Sequence, residues 1–350
     1  SNIENSLQGT LCRCTGYGPI IDAAKSIDDY GTVDEDKLIA GKSMMQNNLT
    51  HLELKQHAIG DKENSRFFVP TSPENLSELL LENPDCTIVA GATDIGLWIT
   101  KDLSTVSPLI FIGNVEELKR VVKHKERIEL GACVTYSQAG KVFSEYYPTT
   151  RDYFARIAGE QIRNIGTIGG NIGNGSPIGD LAPLFIALDA SIKLRRGHES
   201  REIAMEKFFL EYNLQDIRKS EFIESINVPV NENIFIFPYK VSKRRDEDIS
   251  TISAVFSFEI VENTMSNVRV VYGGMAGIPK RASSVEDILE GKTFERSVAK
   301  LAQLTLTTDF KPMSDLRASS AYRMQVAKNL IMKCQQEYTQ RTSIKLVRPF

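Results

Sequence analysis

Only five cysteines, four histidines and one tryptophan occur in the 350 residues, and no stretch stays apolar for long. Each scarcity removes a class of protein. Five cysteines are too few for a disulfide scaffold, and the odd number leaves one thiol unpaired, which suits a reducing, cytoplasmic setting. The longest apolar run, Leu181 to Leu188, stops at Asp189, well short of the roughly 18 residues that a membrane span needs. Neither sign of charge dominates. Lys and Arg number 42 against 45 Asp and Glu, so a formal charge of -3 offers no basic field to hold nucleic acid. The opening Ser1-Asn2-Ile3-Glu4 lacks the apolar core of a secretory leader, and the four histidines form no H-E-x-x-H zinc pattern.

Two nucleotide signatures are also missing. Gly41-Lys42-Ser43 and Gly291-Lys292-Thr293 end like phosphate loops, but the glycine needed five residues earlier is Asp36 in one case and Glu286 in the other. No G-x-G-x-x-G follows a strand-like run, so a doubly wound dinucleotide fold has no support.

What is present divides into four stretches, two or three domains' worth by length. Residues 1–30 read as helical on both sides of a turn at Thr15 to Pro19, and the polar, charged stretch 31–65 reads as a linker. From 66 to 236, short β-like runs (Thr87 to Ala90, Leu109 to Ile112, Ile128 to Ala132, Ser191 to Leu194) alternate with helical ones, which argues for an α+β domain. From 237 to 350, Ile252 to Val261 and Val268 to Gly273 read as an antiparallel pair followed by helices. In the last helix, Tyr322, Val326, Leu330, Cys334 and Tyr338 recur every four residues as a core-facing stripe, which makes Cys334 a packing residue.

Three places carry chemistry. Cys12 and Cys14 are too close for an unstrained disulfide, but two thiolates at that spacing can address one metal centre. Five of the ten residues from Gly166 to Gly175 are glycine, a composition that lets backbone N–H groups turn inward around a pyrophosphate and that a glycine-rich surface turn shares. The run Val89-Ala90-Gly91-Ala92-Thr93-Asp94-Ile95-Gly96 has a strand ending in a glycine turn before a helix, and such helix starts attract phosphate. Lys240 stands in a semi-apolar stretch where it could meet a buried polar or anionic group, whereas Lys243 to Asp248 reads as a solvated loop with internal ion pairs.

These strings carry a resemblance. The segment QGTLCRCTGYGPI, Gln8 to Ile20, resembles part of the all-helical [2Fe-2S] domain of the molybdenum hydroxylases of the xanthine dehydrogenase family. VAGATDIG and TIGGNIGNGSPIGD resemble that family's two FAD-pyrophosphate loops, and KVSKRRDEDIS, YGGMAGIPKRA and SDLRASSAYR resemble the end of its flavin domain and its small C-terminal domain. The order of modules resembles the iron–sulfur/FAD small subunit of the bacterial enzymes.

The resemblance implies an α+β fold: a helical [2Fe-2S] remnant, a two-subdomain FAD-binding domain that is not a Rossmann sheet, and a small α+β domain with an antiparallel sheet. For FAD it implies Ile88, Val89, Ala90, Gly91, Ala92, Thr93, Asp94 and Ile95 in one loop, Thr167, Ile168, Gly169, Gly170 and Asn171 in the other, completed by Asp180, Ile223 and Lys240. Ile157 stands where animal relatives tend to place an aromatic beside the flavin. Cys12 and Cys14 match two of four [2Fe-2S] ligands, so an N-terminal iron–sulfur segment is expected elsewhere, this chain being a nicked or late-starting piece of a longer subunit. Electrons from a purine hydroxylated on a molybdenum-cofactor-binding large subunit would reach FAD and then NAD+ within a hetero-oligomer that involves neither nucleic acid nor membrane, and no catalytic residue is required of this chain. A flavin subunit of the carbon monoxide dehydrogenase or hydroxybenzoyl-CoA reductase type and a cofactor-free assembly subunit are the alternatives.

Overall fold

The computed structural model describes residues 2–32, 36–50 and 67–340. At the N-terminus, α1 (Asn2–Ser6) and α2 (Gly18–Lys25) flank the Cys12–Cys14 turn, with Pro19 in the first turn of α2. The stretch expected as a linker holds two short exposed helices, α3 (Lys37–Ala40), capped by the Asp36 carboxylate, and α4 (Lys42–Thr50). The rest of that linker, 33–35 and 51–65, lies outside the described residues.

A three-stranded parallel sheet comes next, built from β1 (Phe67–Phe68), β2 (Thr87–Val89) and β3 (Leu109–Phe111) in the order β1-β3-β2. Parallel strands need crossovers, and α5 (Pro73–Glu82) and α6 (Ile95–Thr100) supply them. Ser72 caps α5 by accepting from Asn75 N at 3.1 Å, and Leu76 and Leu80 on one side of that helix are buried over Ile110.

The second sheet is antiparallel, with β4 (Val121–Lys123) and β5 (Arg127–Gly131) as a hairpin at one edge. Five helices follow. They are α7 (Tyr136–Tyr146), α8 (Arg151–Ala155), α9 (Glu160–Ile165), α10 (Ile168–Asn174) and α11 (Leu181–Ala187). A capping box opens α7: Thr135 Oγ1 accepts from Gln138 N at 3.3 Å and Gln138 Oε1 accepts from Thr135 N at 2.9 Å. The sheet resumes with β6 (Ser191–Arg196) and β7 (Glu199–Ala204); a short helix α12 (Met205–Phe208) and the small hairpin β8 (Phe209–Glu211) and β9 (Leu214–Gln215) precede β10 (Phe222–Pro229). The sheet order is β4-β5-β10-β6-β7.

The C-terminal part is a four-stranded antiparallel sheet of β11 (Phe235–Val241), β12 (Ile252–Val261), β13 (Thr264–Gly273) and β14 (Lys280–Arg281), backed by α13 (Ser283–Leu289), α14 (Arg296–Asp309) and α15 (Ser320–Gln340). The expected stripe on α15 turns out skewed. Leu330 and Cys334 are buried but Tyr322 is half exposed, because strict four-residue spacing rotates about 40° per step on a 3.6-residue helix and drifts off the core face. Ala327 and Ile331 take the inner positions instead.

The apolar run of the sequence became α11, and every residue in it is buried. A helix apolar all round needs cover on all sides. Its core includes Ile128, Ile192 and Ile226 of the second sheet together with Ile236, Val255 and Val271 of the C-terminal sheet, and Ser257 Oγ donates to Ala187 O at 2.6 Å. Among the described residues no helix is long and apolar enough to cross a membrane.

Candidate cofactor site

At the head of α11 the structure joins two residues that sequence analysis selected separately. Lys240 Nζ on β11 donates to Asp180 Oδ2 at 2.7 Å and to Ser250 Oγ at 2.7 Å, while Ser250 Oγ donates to Asp180 Oδ1 at 2.5 Å. All three side chains are buried, a setting in which a charge persists only when paired and hydrogen-bonded. Tyr153 of α8 closes the group: its hydroxyl donates to the Asp180 carbonyl at 2.6 Å and lies 2.5 Å from Ser253 Oγ. Burial first, and the Asp180 charge second, push the Tyr153 phenol well above its ordinary range, so it stays a donor. Nothing in the spacing of Tyr153, Ser250 or Ser253 marks them in the sequence, because each is an ordinary residue type whose partner is distant along the chain.

The two glycine-bearing loops differ from expectation in which of them offers free N–H groups. Ile168 to Asn174 is helix, not a nest of inward-turned amides. Its first N–H groups are already engaged: Ile168 N donates to Val134 O and Gly169 N to Ala132 O, both at 2.9 Å, and Gly170 N donates to Thr167 Oγ1 at 3.1 Å. Packing overrides the poor helix propensity of glycine here. A Cβ on Gly169 would lie 2.6 Å from Ala132 Cβ, so only glycine lets α10 approach the end of β5. In the other loop, Ile88 and Val89 end β2, Ile95 opens α6, and Ala92 between them adopts a left-handed φ of 56°. Among the described residues the N–H groups of Ala92, Thr93, Asp94 and Ile95 donate to no backbone carbonyl, which makes this the anion-receptive turn. A Cβ on Gly91 would lie 2.6 Å from the Ile165 carbonyl carbon and nearer its oxygen, so the turn is pressed onto the end of α9.

Tyr136, not singled out beforehand, links the loops. It is buried, its N donates to Gly166 O at 3.0 Å, and a Cβ on Gly166 would lie 2.7 Å from its ring. Burial raises its phenol to about 12; the nearby Asn171 amide opposes that shift, and the charges of Asp180 and Asp94 add to it. Asn171 Oδ1 is buried with no donor, so one acceptor is left over beside Tyr136. A turn with free N–H donors next to an orphaned acceptor fits an extended ligand with phosphates and hydroxyls, which is the chemistry of FAD. Ile223 packs on α10, its Cδ1 3.5 Å from a Cβ position on Gly173, at a bulge in β10. Ile157 is buried in the main core.

The thiols lie elsewhere. Cys12 Sγ is 3.2 Å from Thr15 Oγ1 and accepts from Cys14 N at 3.5 Å, contacts that hold its ionisation below the usual thiol value. Among the described residues no group of three His, Cys, Asp or Glu can hold a metal ion, so two thiols do not complete a [2Fe-2S] ligand set. The segment before them docks on α9: Gln161 Nε2 donates to Gln8 O at 2.7 Å and Arg163 Nη2 to Gln8 Oε1 at 2.8 Å.

Comparison with known proteins fits this geometry. A profile described as "FAD binding domain in molybdopterin dehydrogenase" matches residues 63–231, and one described as "CO dehydrogenase flavoprotein C-terminal domain" matches 237–338. The glyceraldehyde dehydrogenase medium chain of Sulfolobus acidocaldarius is 30% identical over 67% of this chain and 85% of its own length. This chain belongs to the flavoprotein family of the molybdopterin dehydrogenases. Members of that family similar to it include the xanthine dehydrogenase of Emericella nidulans, 27% identical over 83% of this chain, and xanthine dehydrogenase 2 of Arabidopsis thaliana, 27% identical over 88%. The chain spans about a quarter of the length of those two, 26% and 28%. A chain of the carbon monoxide dehydrogenase of Hydrogenophaga pseudoflava shares the fold with a TM-score of 0.73 at 23% identity, covering 78% of this chain and 96% of that one. The family match supports FAD as the cofactor and an oxidoreductase setting.

Proposed function

We propose that this chain is the electron-transfer and FAD subunit of a xanthine dehydrogenase. In the complete assembly a partner subunit carries the molybdenum cofactor, a purine is oxidised by two electrons with oxygen taken from water, NAD+ becomes NADH, and one proton is released. The observation that carries the purine reading is reach. The alignments to the Emericella and Arabidopsis xanthine dehydrogenases extend over 83% and 88% of this chain, farther than the two flavoprotein modules together, whereas the glyceraldehyde dehydrogenase alignment stops at 67%. That medium chain supports a second reading, an aldehyde-oxidising enzyme built on the same flavin subunit, because this chain covers most of it.

When bound, FAD supplies the two-electron chemistry. The chain's own residues bind and orient. The free N–H groups from Ala92 to Ile95 receive phosphate, Asn171 Oδ1 accepts a ligand hydroxyl, and Ile88 to Gly91, Thr167, Ile168, Gly169 and Gly170 set the two loops at contact distance. The Asp180–Lys240–Ser250 group holds the head of α11 against β11, and Ile223 packs on α10. With Cys12 and Cys14 supplying two of the four ligands a cluster needs, the chain by itself should hold no stoichiometric iron.

The test has two stages. Heat-released supernatant of the purified chain should show flavin absorbance, and the chain alone should oxidise NADH with an artificial acceptor yet not turn over xanthine. Adding a molybdenum-binding partner should restore xanthine-dependent NAD+ reduction. Xanthine turnover by the chain alone would refute the division of labour, and turnover of glyceraldehyde in place of xanthine would select the second reading.

A further inference from the structure

Arg323 sits in the first turn of α15, 2% exposed, and its side-chain hydrogen bonds all leave its own helix. Nη1 donates to Thr251 O and, at 3.0 Å, to Gly274 O; Nη2 forks onto Asp315, 2.8 Å from Oδ1 and 2.7 Å from Oδ2. Asp315 is itself fixed, Oδ1 accepting from Arg317 N at 2.9 Å and Ala318 N at 3.0 Å. The two backbone targets matter for where they lead. Thr251 follows Ser250, a member of the buried Asp180–Lys240 group, and its N donates to the carbonyl of Val241, the neighbour of Lys240, at 2.8 Å. Gly274 N donates at 2.8 Å to Pro177 O, three residues before Asp180. Gly274 takes φ +81°, and a Cβ there would be 3.1 Å from Arg323 Nη1 and nearer the Thr251 carbonyl oxygen, so the backbone is shaped to admit the guanidinium.

We propose that Arg323 is the positioning residue through which the C-terminal module sets the geometry of the Asp180–Lys240–Ser250 group. One planar guanidinium grips Thr251, next to Ser250, and Gly274, and the backbone bonds of those two residues lead on to the Lys240 strand end and to Pro177 ahead of Asp180, a task for which fixed donor geometry is suited and a lysine point charge is not. The side-chain bonds of Arg323 run to Thr251, Gly274 and Asp315, so it acts through other residues. It keeps Ser250 and the Lys240 strand end in register with the head of α11, and so keeps Lys240 paired. The effect on FAD rests on the reading of this group as part of the flavin site, but the effect on Lys240 does not.

Two readouts on the full chain therefore separate the ideas. The first is acetylation of Lys240 by acetic anhydride in the FAD-free protein, followed by peptide mass spectrometry; the second is the FAD dissociation constant from flavin fluorescence. Arg323→Lys should raise Lys240 labelling and the FAD dissociation constant, each by roughly tenfold, as loss of charge-assisted bonds would. Leu330→Ala, a buried apolar truncation farther along the same helix, should lower thermal stability and leave both readouts at wild-type values. If Arg323→Lys does not fold, Asp315→Asn, which removes one side of the fork, should move both readouts in the same direction by less. Unchanged Lys240 labelling in the folded arginine or aspartate variant overturns the proposal, as does equal labelling in Leu330→Ala. Raised labelling together with a wild-type chain that binds no FAD would leave the positioning role standing and remove the flavin site.

Discussion

Replacing Lys240 with methionine tests the buried pair most directly, since it keeps an unbranched side chain one atom shorter and deletes the charge. At 2.7 Å and an effective dielectric near 20, the attraction between Lys240 and Asp180 is roughly 6 kcal/mol before the loss of hydration is counted. Hydration loss takes back several kcal/mol for each ion, so the pair adds little net stability, but a lone survivor has no such offset. In Lys240→Met the Asp180 carboxylate would stay buried with Ser250 Oγ as its remaining side-chain donor, a state that costs about 3–5 kcal/mol. Asp180→Leu should cost a similar amount by stranding the ammonium. The double variant, which removes both charges, should be more stable than either single one, with a coupling energy of at least about 2 kcal/mol. Urea unfolding of the FAD-free chain followed by circular dichroism measures all four corners of the cycle. A Lys240→Met penalty under about 1 kcal/mol, or strictly additive single penalties, would refute a compensated buried pair.

Three further outcomes follow from local geometry. Gly91→Ala forces a Cβ against the Ile165 carbonyl, so it should cost about 1–3 kcal/mol and purify without flavin; wild-type absorbance at the flavin band would count against the turn as part of the site. Thr167→Ala removes the N-cap that accepts from Gly170 N and should cost about 1 kcal/mol in thermal or urea unfolding, with Thr167→Ser close to neutral. Alkaline pH should weaken the fold: burial lifts the Cys133 thiol to about 12 and carries Cys334 upward too, against an ordinary value of 9.0. Between pH 9 and 12 the unfolded chain has released protons that the native state retains, so stability falls by about 1.4 kcal/mol per pH unit for each such thiol, and a urea midpoint that stays level from pH 8 to 10.5 would contradict this.

The parts of the structure legible in sequence are those where the determining contacts are local or periodic. Composition marks Ile252–Val261 at both of its ends, whereas its partner strand is marked only from Val268 on, although it begins at Thr264. Its first residues, Thr264 to Asn267, are more polar and lie next to the turn, where strand and loop share a composition. The α+β class and the absence of a Rossmann fingerprint were legible for the same local reason. The glycine helix α10 was not, because glycine composition signals backbone freedom, and what fixes the helix is the proximity of Ala132, about forty residues earlier. Lys240 stood out as a cation in an apolar setting, yet its partners could not be read, since Asp180 lies 60 residues away and Ser250 carries no distinguishing signal. Tyr136 was hidden similarly: its position beside both loops is a product of the α7–α9 packing.

The all-buried helix α11 ties the two halves of the chain to one another. Two separate family profiles match 63–231 and 237–338, yet here one helix shares its core with side chains of both blocks. Neither block can be exchanged for a distant counterpart unless the new one brings side chains that fit the old face of Leu181–Ala187. Because both blocks cover the same helix, a substitution on either face of Leu181–Ala187 is felt by both, and the two blocks should unfold in one transition.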